Sequence, residues 1–249
     1  MEKKQIMSKG STAIIIILIC VCLILCAFAV YEIHSQSILK KVFFRWGLVS
    51  EVSSDSIDYA VDGWNNCLNK MTYDCDVVFF GDSITRGSDF GKYFDGVEIC
   101  NLGFPGDTLN GMKKRVSMIK AVHPEKVFIM GGINGLRDHN VDVCVQRYSE
   151  LLDLIEKAVP DAEIYVQSVL PIASYKESSW YGGGICKNST IRAFNEKLKE
   201  LAEEKGHVYI DLYSVYEKDG SLDPDYTSDG LHLGGHYEPW AEAIREYIY

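Results

Sequence analysis

Four short segments of this chain carry residue types that do chemistry together: Gly81-Asp82-Ser83, Asn101 to Thr108 (NLGFPGDT), Gly131-Gly132-Ile133-Asn134, and Ser228-Asp229-Gly230-Leu231-His232. A serine hydroxyl is a weak nucleophile until a neighbouring base takes its proton. An imidazole is such a base, and a carboxylate fixes its tautomer and stabilises its positive charge. Glycine-bearing loops expose backbone N–H groups, and asparagine adds an amide, the donors a tetrahedral oxyanion needs. Taken singly, each segment reads as a turn or helix cap, because glycine permits turns and Asp, Ser and Asn cap helices. Taken together, they supply every part of an acyl-transfer site.

Such a site exists only if the segments meet, so the elements between them matter. Short apolar runs lie at 75–80, 97–102, 126–130, 163–170 and 207–212. Helical patterns fill 108–121, 141–158, 189–205 and about 237–248. Before them, Ile57, Val61, Trp64, Leu68 and Met71 at three- and four-residue steps read as an amphipathic helix leading into the domain. Strands alternating with helices predict a parallel sheet covered on both faces, and near-continuous apolar strands fit that burial. Ligands of such sheets bind beyond the carboxyl ends of the strands, where the four segments fall. One domain over 55–249 accounts for the pattern, with no repeat and no second domain.

The chain has 249 residues and a formal net charge of −10. That charge excludes the clustered Lys and Arg of a nucleic-acid binder and gives no general attraction to anionic lipid. The run AIIIILICVCLILCAFAVY at 13–31 carries no charge and no proline. About 20 apolar residues span a bilayer as a helix. Two membrane readings compete: a signal anchor over 12–31, or a secretory signal peptide cleaved after Ala27-Phe28-Ala29. The run exceeds a usual signal core, which favours the anchor. Lys3, Lys4 and Lys9 lie close to it, which predicts a cytoplasmic segment at 1–11 and an extracytoplasmic domain. Residues 32–54 form a juxtamembrane linker in which KKVFFRW (40–46) reads equally as an interfacial anchor or a plain tether. Cys20, Cys22 and Cys26 sit in the apolar run; Cys67, Cys75, Cys100, Cys144 and Cys186 follow it with no C-x-x-C pair. That spacing suggests no zinc framework, and an oxidising compartment would admit one or two disulfides.

The chemistry-bearing segments also carry a resemblance. FFGDSITRG, NLGFPGDTLNGM, MGGINGL and TSDGLHLGGHYEPWAEAI stand in the order of the four blocks of the SGNH (GDSL-type) hydrolases. RAFNEKLKELAEEKG and VYIDLYSVY add smaller echoes, and the likeness covers about residues 75–248. It implies a three-layer α/β/α sandwich around a five-stranded parallel sheet in flavodoxin-like order. It implies Ser83 as nucleophile, His232 as base and Asp229 as its orienting acid. The oxyanion donors would be the backbone N–H of Ser83, the backbone N–H of Gly106 and the side chain of Asn134. Gly106 is chosen over Gly103 because it directly precedes Asp107-Thr108. Gly135 departs from the aspartate common at that position in the family. No metal or cofactor is implied.

Rival readings fit less well. The α/β-hydrolase elbow G-x-S-x-G would need glycine where Thr85 stands. Neither G-x-G-x-x-G nor a phosphate-binding G-x-x-x-x-G-K-[ST] occurs. His236 lies four residues after His232, but no Glu follows the first histidine, so a rim role outweighs zinc. Tyr175, Trp180 and Tyr181 lie in a long loop (172–187) that reads equally as a substrate wall or a plain connection. Asn188-Ser189-Thr190 matches a glycosylation triplet yet reads as the start of a helix. The expectation is a membrane-anchored serine esterase acting on glycan O-acetyl groups or on short-chain or lysophospholipid esters. The same acyl-enzyme would also serve an acyltransferase, and a non-catalytic carbohydrate-binding module is the rival of a different class. The oligomeric state is not legible.

Overall fold

The computed structural model describes residues 74–136, 140–178 and 186–249. The chain divides into two units, Met1–Ser53 and Ser54–Tyr249, and all described residues belong to the second. The predicted anchor (12–31), the linker, the amphipathic segment 55–71, Cys20, Cys22, Cys26, Cys67, Trp180 and Tyr181 lie outside the described residues. Among the described residues, no helix is long and apolar enough to cross a membrane.

Five parallel strands form the central sheet: β1 (Val77–Gly81), β2 (Ile99–Gly103), β3 (Lys126–Met130), β4 (Glu163–Gln167) and β5 (Val208–Ile210). Their order is β2-β1-β3-β4-β5, so the winding direction reverses at β1. Such a reversal, here at the carboxyl ends of β1 and β3, is the place where doubly wound sheets bind ligands. The helices are α1 (Ser83–Arg86), α2 (Leu109–Lys114), α3 (Val116–Lys120), α4 (Ile133–Leu136), α5 (Val141–Ala158), α6 (Asn188–Glu204), α7 (Tyr213–Tyr216) and α8 (Glu238–Ile248).

Both faces of the sheet are buried, which explains why its strands read as apolar without alternation. On one face Phe79, Phe128 and Tyr165 stack in register across β1, β3 and β4, at centroid distances of 5.1 and 4.4 Å. Phe90 continues that row, and Trp240 and Tyr247 of α8 close over it. Helix α5 packs against α2, α3 and α6 as a second layer. Its buried Tyr148 donates to the carbonyl of Ile129 in β3.

Of the boundaries that differ from expectation, three do so for visible reasons. The helix predicted over 108–121 breaks at Arg115, which closes α2 and opens α3 with φ −98° and ψ 4°. The strand predicted over 163–170 leaves the ladder after Gln167, because Asn195 of α6 takes both the N–H and the carbonyl of Val169. Residues 207–212 keep strand pairing only at 208–210; Leu212 then leads directly into α7. A small hairpin, β6 (Glu217–Lys218) with β7 (Ser221–Leu222), turns at Asp219-Gly220 with both φ values positive (52° and 82°). That is the Asp-Gly signature of a two-residue hairpin turn. Cys75 and Cys100 are disulfide-bonded with their Cα atoms 6.0 Å apart.

Candidate active site

Ser83 stands where β1 ends and α1 begins. Asp82 caps that helix: its side chain accepts the N–H of Ile84 at 2.9 Å. Gly81 has to be glycine, since a Cβ there would overlap Thr85 Oγ1 and the carbonyl of Met130. The strand can therefore turn into the helix within three residues and hold the Ser83 hydroxyl at the rim. Asp82 is fully buried, and desolvation raises its pKa to about 7 against the opposing hydrogen bond from Ile84. Neighbouring Asp107 raises it further, while His232 and Arg115 pull it down.

The base arrives from far along the chain. Ser83 Oγ and His232 Nε2 are 2.9 Å apart, and His232 Nδ1 lies 2.7 Å from Asp229 Oδ2. With Nδ1 carrying the proton, Nε2 is left to accept from the serine. The other oxygen of Asp229 accepts the backbone N–H groups of Leu231 (2.9 Å) and His232 (2.8 Å). Burial opposes ionisation of this carboxyl, but these bonds and that to the imidazole outweigh it and hold the pKa at about 2. The loop is joined to the nucleophile by Tyr237, whose hydroxyl donates to the carbonyl of Ile84 at 2.6 Å.

The remaining loops flank Ser83. Gly106 adopts φ +74°, a conformation that favours glycine. Gly103 is needed for a different reason, because a Cβ there would strike the backbone of Arg86. Thr108 then caps α2, accepting the N–H of Gly111 at 3.2 Å. Asn134, in the single turn of α4, donates from Nδ2 to the carbonyl of Asp107 at 2.8 Å. Its amide has a second N–H to offer. The structure thus ties Asn134 to the loop that carries Gly106, beside the strand end that carries Ser83.

Sequence reasoning passed over the residue that joins these loops. Arg115 is 1% exposed. Its Nε and Nη2 both reach Asp107 Oδ2, at 2.8 and 2.5 Å. Nη2 also donates to the carbonyl of Gly81 (3.1 Å), and Nη1 to that of Leu102 (2.9 Å). The guanidinium lies over the Phe80 ring, 4.7 Å from its centroid. A signal was present: Leu109, Met112, Val116 and Ile119 form a buried face, and Arg115 follows Met112 by three, on that same face.

At the rim, Tyr175 is 61% exposed, and its ring lies so near Gly230 that a Cβ there would come within 2.7 Å of the hydroxyl. The same stretch is anchored by Ala173, which donates to the carbonyl of Gly230 at 2.9 Å. His236 packs edge-on to Tyr226, 5.9 Å between centroids. Among the described residues, no His, Cys, Asp and Glu group suited to a metal ion occurs. Asn188 opens α6, and its buried side chain clamps both the N–H and the carbonyl of Ile172, so the triplet at 188–190 is used for structure.

Comparison with known proteins shows the family and the fold. The sequence profile of the GDSL-like lipase/acylhydrolase family matches residues 79–236. Among solved structures, a Streptococcus pneumonia protein described as a platelet activating factor has a TM-score of 0.70 at 21% identity, over 86% of this chain and 99% of its own. A GDSL-like lipase from Bacteroides thetaiotaomicron gives 0.61 at 21%, over 76% and 96%. An acetyl xylan esterase gives 0.56 at 18%, over 70% and 99%. At these identities the likeness is one of fold. Among curated proteins, none matches this chain.

Proposed function

Given that the chain belongs to the GDSL-like lipase/acylhydrolase family and is a serine carboxylic ester hydrolase, we propose that it hydrolyses short-chain O-acyl esters through an acyl-enzyme on Ser83. The observation that carries this reading is the unbroken relay from Ser83 Oγ to His232 (2.9 Å) and from His232 to Asp229 (2.7 Å). Ser83 Oγ attacks the ester carbonyl carbon while its proton passes to His232 Nε2. Asp229 stabilises the imidazolium and remains ionised. The carbonyl oxygen, now negative, is held by the N–H groups of Ser83 and Gly106 and by Asn134 Nδ2. Collapse expels the alkoxide, which takes the proton from His232. Water then attacks the acyl-enzyme by the reverse sequence, with His232 as base. The chain's own groups supply every proton transfer, and no step calls for a cofactor.

For substrate, we favour O-acetyl groups on glycans over lysophospholipid or short-chain lipid esters. The exposed Tyr175 ring beside the Asp229–His232 loop offers a face for a sugar, and the fold is shared with an acetyl xylan esterase. The uncharged run at 13–31 supports a single-pass anchor with the domain outside the cytoplasm. The disulfide Cys75–Cys100 fits an oxidising compartment.

Ser83→Ala tests the reading: turnover of p-nitrophenyl acetate should vanish while the circular dichroism of the domain is unchanged. Activity surviving in that folded variant overturns it. A ladder of p-nitrophenyl esters run beside acetylated xylan sorts the substrates, with rates expected to fall as the acyl chain lengthens. Acyl transfer to a sugar acceptor outpacing hydrolysis would replace the hydrolase reading with an acyltransferase.

A further inference from the structure

We infer that Arg115 is a positioning residue for the oxyanion hole: one buried guanidinium holds, directly or through Asp107, all three strand-end segments that carry its donors. The inference rests on the reading of Ser83, Gly106 and Asn134 given above and adds what sets their spacing. The carbonyl of Gly81, which takes Nη2, lies two residues before Ser83. The carbonyl of Leu102, which takes Nη1, lies at the end of the strand that runs on to Gly106. The carboxylate of Asp107, which takes Nε and Nη2, belongs to the residue after Gly106. The backbone carbonyl of Asp107 in turn accepts Asn134 Nδ2. Three loops from three strands are thereby referenced to one planar group.

Only arginine suits this task. Its five N–H donors form a rigid fork, whereas lysine offers a point charge on a flexible stem. Taking a guanidinium out of water is costly even when it is paired. Apolar side chains could fill the same space among Phe80, Leu102 and Phe104, but they could not join the two strand-end carbonyls of Gly81 and Leu102 to the Asp107 carboxylate. The break between α2 and α3 follows from the same demand. Arg115 leaves helical geometry, its N–H donates to the Met112 carbonyl and its own carbonyl accepts the Met118 N–H, both tight three-residue turns that bring the side chain under the sheet end.

The consequence is kinetic. Misplacing a group by about 1 Å can cost about 10²-fold in rate, and losing an oxyanion donor about 10²–10³. Arg115→Lys should therefore lower kcat about 10- to 100-fold, counted per active site titrated with a fluorophosphonate. KM should stay within about twofold. The pH profile of kcat/KM should keep its shape, since Asp229 and His232 are untouched. A role confined to packing would lower the melting temperature and the number of titratable sites, but leave kcat per titrated site unchanged. Asp107→Asn keeps the backbone carbonyl that Asn134 uses and weakens only the ion pair, so it should show the same split to a smaller degree. If Arg115→Lys does not fold, Asp107→Asn decides alone. Wild-type kcat per site in every variant that folds overturns the positioning role and leaves the functional reading standing. Turnover surviving in Ser83→Ala overturns both.

Discussion

The two halves of the site are held in opposite ways. The Ser83, Gly106 and Asn134 segments project from the ends of three strands, and their common support is a buried charged pair, Arg115 with Asp107. The acid–base segment is a single loop folded on itself. Asp229 gathers two N–H groups of its own loop, and the side chains of His232 and Asp229 remain 40% and 33% exposed. The contrast fits the roles proposed for each half. Fixed dipoles that meet a developing charge are worth most away from water. A base that hands its proton to the departing alcohol and then takes one from an incoming water is better placed at the rim, where both can reach it. Buried charge-assisted bonds therefore support the proposed oxyanion side, while short-range bonds, with ties from Tyr237 and Ala173, support the acid–base side.

Mutations in the two halves should separate accordingly. The largest effect after loss of the nucleophile is expected for Asp229→Asn. The imidazole would settle in the wrong tautomer, and turnover should drop about 10⁴-fold with KM little changed. A rate within tenfold of wild type would detach Asp229 from the acid–base half. Asn134→Ala should cost about 10²–10³ in kcat and preserve the shape of the pH profile, because it removes a dipole and leaves the base alone. A shifted pH profile in that variant would mean the halves are not separable.

The smallest effect concerns stability. Burial raises the Asp82 pKa to about 7 from the ordinary 3.8. The folded state thus binds a proton that the unfolded chain releases near pH 4. The resulting stability is fully present below about pH 4 and is lost as pH rises through about 7. Asp82→Asn, which keeps the cap on Ile84, should not suffer that loss. Urea unfolding at pH 5 and pH 8 should show the variant gaining on wild type at the higher pH, by on the order of 1–4 kcal/mol. Parallel curves would contradict it.

What the sequence disclosed tracks how local each feature is. The five strands and the chemistry at their ends are written in consecutive residues, so apolar runs closing on Gly-Asp-Ser or Gly-Gly-Ile-Asn are readable. The Asp229-x-x-His232 spacing is local in the same sense. The hydrogen-bond partners of Arg115 lie in two other segments, as much as 34 residues away, and its meaning appears only after folding. The helix over 108–121 read as continuous because periodicity does not register one residue turning out of line. The strand at 163–170 read too long because Asn195, 26 residues downstream from Val169, takes over its backbone pairing. The hairpin at 217–222 did carry a local signal in Asp219-Gly220 that went unused. Even the two glycines of one loop serve different ends: Gly103 clears the Arg86 backbone, and Gly106 supplies a positive φ.

The account turns on a covalent intermediate at one hydroxyl, and mass spectrometry of the acid-quenched protein can see it. Mixed with p-nitrophenyl acetate and stopped during the first turnover, the protein should gain the mass of one acetyl group. Peptide mapping should place that group on Ser83, with none in Ser83→Ala. Steady hydrolysis with no acetyl on Ser83 at any quench time, or an acetyl group turning over on another residue, would contradict it.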